Sequence, residues 1–100
     1  METRNDIPNL FAMYIRNDRE IYNITEWLRN CIIKKINSGV RPQLEHLANC
    51  STMKTIIREA AKLLYKYDGI TPTRQEKQQA AKEYAKYILD GVQYSIQKRQ

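Results

Sequence analysis

The residues with the best chance of doing chemistry are few. His46 and Cys50 stand four apart, a spacing that puts both on one helix face, and Cys31 is the remaining soft donor. A closed zinc site takes four ligands, or three and a water, and no C-x-x-C pair supplies the rest. The helix holding His46 is expected to end near Cys50, and nothing nearby argues for an electropositive, exposed thiol, so the pair also fails as a Cys–His nucleophile. His46 reads as a partly exposed helix residue beside Leu47, and the two cysteines as reduced and buried rather than as a disulfide.

Phosphate-cradling and nucleophile-elbow strings are absent, and the glycines at 39, 69 and 91 are too isolated to build such a loop. Carboxylates sit beside bases at helical spacing, as in Glu83–Lys86 and Lys86–Asp90, which is the pattern of a solvated helix face. The expectation is a non-catalytic protein with no metal, no cofactor and no small-molecule substrate indicated.

The strongest pattern is cationic. Lys54, Arg58, Lys62 and Lys66 follow one another at spacings of four, Tyr65 falls on the same side, and Glu59 is the one acid nearby. On a helix these positions form a stripe suited to a phosphate backbone, with counterions released as each contact forms. Thr52 and Thr55, near the start of the same helix, are candidate hydrogen-bonders to bases or phosphates. The competing reading is an ordinary solvated face. Charge is unevenly spread: residues 41–67 hold five bases against two acids, whereas residues 1–20 hold three against four. The whole chain carries 17 Lys and Arg against 11 Asp and Glu, a formal +6, which favours polyanionic partners, DNA or RNA.

A second pattern is aromatic. Seven tyrosines accompany one Phe and one Trp. Tyr84, Tyr87 and Tyr94 line one edge of the last helix around Gly91, among small residues that would admit another backbone. Tyrosines at the rim of a small core explain this, and so does a surface for a second copy of the chain or another protein.

The elements that must position these residues are helices throughout, because no long stretch alternates strictly and the β-branched residues are scattered among good helix formers. A first, mostly apolar segment opens near Pro8 and runs through Leu10, Phe11, Met13, Tyr14 and Ile15. A second begins at Asp18 or at Asn23, which with Glu26 resembles a capping box. It turns Ile24, Trp27, Leu28, Cys31, Ile32 and Ile36 inward, leaves Ile33 on the polar side and Lys35 on the apolar side, and stops at Ser38-Gly39.

Pro42 is expected to open a short helix carrying Leu44, Leu47 and Ala48. The next apolar set, Met53, Ile56, Ile57, Ala60, Leu63, Leu64 and Tyr67, points the opposite way on a continuous helix, so a break with Ser51 as N-cap is required. Short helix, tight turn and longer helix have the outline of a helix-turn-helix over about 42–67, although the turn lacks the usual glycine. Asp68-Gly69 ends that unit. Thr71-Pro72, with Pro72 at N1, or Thr73, which forms a capping box with Glu76, opens the last helix, whose inward residues are Ala80, Ala81, Tyr84, Ala85, Tyr87, Ile88, Gly91, Val92, Ser95 and Ile96.

The chain of 100 residues thus reads as one all-α domain, an irregular bundle of four to five helices, with residues 1–7 and 97–100 frayed. No apolar run nears the ~20 residues that cross a bilayer, and Met1-Glu2-Thr3-Arg4-Asn5-Asp6 has no apolar leader, so a soluble, cytoplasmic protein is expected.

Overall fold

Two single residues turn the chain sharply between helices, and each serves both neighbours. The computed structural model describes the backbone of residues 6–99 and the side chains of residues 6–92. Its helices are α1 (Ile7–Asn17), α2 (Arg19–Asn37), α3 (Leu44–Asn49), α4 (Ser51–Leu63), continued by a π turn over Leu64–Asp68, and α5 (Arg74–Arg99). Asp18 closes α1 by donating its N–H to the Tyr14 carbonyl at 2.9 Å. Its carboxylate opens α2 by accepting from the Ile21 N–H at 3.0 Å, which settles the start of α2 at Asp18 rather than Asn23.

Cys50 does the same for α3 and α4 in an extended conformation (φ −71°, ψ 157°). Its sulfur accepts from the Met53 N–H at 3.4 Å. Ser51, expected as the cap, is instead the first residue of α4, because the chain needs only one extended residue to turn the corner. The short helix likewise begins two residues beyond Pro42, at Leu44, with Gln43 as its extended N-cap.

Other boundaries follow from the sequence signals. Gly39 (φ 89°) and Gly69 (φ 67°) adopt the left-handed conformation that ends a helix cheaply. The α5 capping box is complete, with Thr73 N–H donating to Glu76 Oε1 at 2.8 Å and Glu76 N–H to Thr73 Oγ1 at 3.1 Å. Ile7 is core, 2% exposed, and α5 continues to Arg99.

Packing centres on α4 and α5, each of which touches the other four helices. Met53, Ile56, Ile57, Ala60 and Leu64 form the buried face of α4 and meet Phe11 and Ile15 of α1, Leu28 and Ile32 of α2, and Ala85, Ile88 and Val92 of α5 in one cluster. Among the described residues Thr25 is the buried polar one, its hydroxyl donating to the Ile21 carbonyl at 3.0 Å within α2. Five projected positions differ. Ile33 packs against the core rather than lying bare. Trp27, Tyr67 and Tyr87 are 60%, 64% and 61% exposed, not inward, and Gly91 is exposed too.

The π turn ties α4 to α1, because Tyr14 donates its hydroxyl to the Asp68 carboxylate and stacks on Tyr67 at 6.1 Å. At 26 residues α5 is ~39 Å long, which accounts for most of the 47 Å long axis. The described residues contain no strand and no helix long and apolar enough to cross a membrane.

Ile56→Ala removes a side chain with no exposed surface at the meeting point of the helices and should cost about 2–5 kcal/mol. Thr73→Ala, which removes one cap, should cost about 1 kcal/mol. Urea unfolding of the two variants checks both, with the denaturant slope unchanged.

Candidate nucleic-acid interface

Burying one face of α4 fixes what the other face shows. With Met53, Ile56, Ile57 and Ala60 turned inward, Lys54, Arg58 and Lys62 are held exposed on the opposite side. The Lys62 ammonium lies 3.3 Å from Glu59 Oε2, an open surface pair that solvent screens and a phosphate can displace. Lys66 falls in the π turn that continues α4 and is exposed as well. Its ammonium sits 5.3 Å from the centre of the Tyr67 ring. Lys54, Arg58, Lys62 and Lys66 are all exposed, the last beside an aromatic ring.

The stripe continues onto a helix that the sequence reading did not connect with it. A cleft of about 490 Å³ between α3, the first turns of α4 and the start of α5 is lined by Lys54, Arg74, Lys77 and Lys82, with Glu45 the facing acid. Arg74, Lys77 and Lys82 recur at helical spacing, so the signal was present in the sequence. Only the packing of α3 on α5 shows that they border Lys54 rather than empty solvent.

On the other flank of α4, Thr52 and Thr55 share a shallow groove with Asn23, Ile24 and Trp27 of α2. Thr55 donates its hydroxyl to the Ser51 carbonyl at 3.1 Å, so that proton is engaged within the helix, and Thr52 is half-buried. The exposed indole of Trp27 is the missed residue here. Its place among apolar α2 positions concealed it.

The tyrosine edge is only partly assembled. Tyr84 and Tyr87 stack at 5.8 Å with an interplanar angle of 23°. Tyr84 is half-buried, while Tyr87 is exposed. Gly91 does not mark a close backbone approach, since a Cβ built there meets nothing within 4 Å among the described residues. The side chain of Tyr94 lies outside the described residues, as do those of Ser95 and Ile96. Burial pushes the Tyr84 phenol above its ordinary 10.0, outweighing the Thr25 hydrogen bond and the Arg29 charge that favour the phenolate.

Of the residues considered for metal, His46 is exposed, and Cys31 and Cys50 are half-buried free thiols. Cys50 spends its sulfur on the α4 cap, and the described residues bring together no metal-ligating group of three. No known protein family, curated protein or solved structure matches this chain.

A phenol whose pKa is raised by folding contributes stability that is intact below the unfolded value of 10.0 and is lost as pH rises through the folded value. Stability measured by urea unfolding from about pH 9 to about pH 11 should therefore fall more steeply in the wild type than in Tyr84→Phe.

Proposed function

We propose that this protein is a non-catalytic nucleic-acid-binding domain that holds phosphates on a basic track shared by two helices. The observation that carries the reading is Lys54, which belongs both to the exposed stripe of α4, with Arg58 and Lys62, and to the cleft it shares with Arg74, Lys77 and Lys82. Cations contributed by one helix alone are the common pattern of a solvated face. Cations from two helices bordering one cleft, with one acid facing them, favour a polyanion. The short helix, one-residue corner and longer helix at the same place add a way to set α4 against a groove, with its N-terminal turn leading. Beside that turn, Trp27 offers a flat surface on which an unpaired base can stack.

Binding of a mixed-sequence duplex and of an RNA strand across a salt series tests this. With four phosphates engaged, log K should fall against log salt with a slope of about −3.6 on the duplex. Arg58→Glu with Lys62→Glu should abolish retention at low salt, and Lys77→Glu with Lys82→Glu should weaken it by at least about tenfold. Trp27→Ala should weaken the single strand and leave the duplex unaffected. Unchanged retention in both charge-reversed proteins removes the basic track as the site.

The alternative, an interaction module acting as a homo-oligomer, draws on the exposed rings of Tyr22 and Tyr87. A sedimentation profile that stays monomeric at high concentration removes it.

A further inference from the structure

Two large aromatic rings stand in the open beside the basic track. Trp27 is 60% exposed and Tyr65 66%, although burying either would stabilise a core this small. Trp27 shares a shallow groove with Asn23 and Ile24 of α2 and with Ser51, Thr52 and Thr55 of α4. Thr55 precedes Arg58 by three residues, the spacing of neighbours on a helix surface, so the groove runs alongside the stripe. Tyr65 follows Lys62 by three, across the junction of α4 with the π turn. The cations of α4 therefore have an exposed ring near each end of their line.

The polar groups of the groove suit the edge of a base. Asn23 and Ser51 are exposed there, an amide that offers donor and acceptor together and a hydroxyl that serves as either. Lys54, Arg58 and Lys62 rise about 6 Å from one to the next along the helix axis, a step comparable with the phosphate repeat of an extended strand.

Rings and cations make different demands on a partner. A cation is satisfied by a phosphate of any polynucleotide. An indole or phenol stacks only on a base whose own face is free, and inside a duplex those faces are covered by the neighbouring pairs. A duplex cannot offer phosphates to the stripe and bare base faces to both rings at once. A single strand can, with its backbone along α4 and its bases splayed to the sides.

Resting on the nucleic-acid reading above, we propose that the partner is a single strand of nucleic acid. Its phosphates lie on Lys54, Arg58 and Lys62, one base stacks on Trp27 with its edge against Asn23, and another stacks on Tyr65.

Trp27 is the one tryptophan of the chain, so indole emission reports stacking at that ring. The test titrates the full chain, at one low salt concentration, with three DNA probes of equal length: a mixed-sequence strand, the same strand annealed to its complement, and an abasic strand that keeps the phosphates and lacks the bases. Anisotropy of end-labelled probes gives affinity, and indole emission with unlabelled probes gives stacking. The strand should bind at least about tenfold tighter than the duplex and the abasic strand, and it alone should quench the indole. Tyr65→Ala, at an exposed position, should weaken the strand by about five- to a hundredfold and leave the duplex unaffected, while Tyr65→Phe, which keeps the ring, should bind normally.

The proposal is overturned if the duplex or the abasic strand binds as tightly as the strand, if the strand binds without quenching, or if Tyr65→Ala binds normally. Equal binding of strand and duplex that is lost in Arg58→Glu with Lys62→Glu overturns the single-strand partner and leaves the basic track standing. Binding of none of the probes removes both, so the two failures are distinguishable.

Discussion

Everything in this small bundle depends on the apolar stripe of α4. Met53, Ile56, Ala60 and Leu64 are completely buried, and the helix that carries them touches each of the other four. A domain of this size has little interior and much rim, so a helix at the centre of the contacts fixes the orientation of its neighbours and its own outer face together. Lys54, Arg58 and Lys62 are exposed because the positions between them are committed to the core. The cationic stripe is the geometric complement of the hydrophobic one, and neither can rotate without the other.

The corners at Asp18 and Cys50 determine how the remaining helices meet α4. Each is a single extended residue that ends one helix and caps the next, leaving no slack in the chain. The Cys50 corner sets α3 against both α4 and α5, and the cleft lined by Lys54, Lys77 and Lys82 exists because α3 packs there. At the far end the π turn swings Tyr67 outward to stack on Tyr14, whose hydroxyl reaches Asp68. These two contacts hold α1 against the end of α4.

Two faces of the bundle then differ in chemical character. The α4 face, with its extension onto α5, is rich in cations and open. The face formed by α1, α2 and α5 is concave, partly apolar and aromatic.

The sequence by itself determined the helical class, the inward and outward sides of α4, the capping box of α5 and the glycine stops at 39 and 69, because these depend on periodicity and on hydrogen bonds within a few residues. It located the cationic stripe for the same reason. Tertiary packing decided what local spacing does not encode. Trp27 shares its helical phase with core residues yet stands exposed at a groove beside α4. Ile33 lies on the polar side yet packs against the core. Arg74, Lys77 and Lys82 became neighbours of Lys54, and Arg29 became part of a cavity, only when helices distant in the chain came together. A helical projection assigns each residue a direction, and the partner found in that direction is set by which other helix occupies the space.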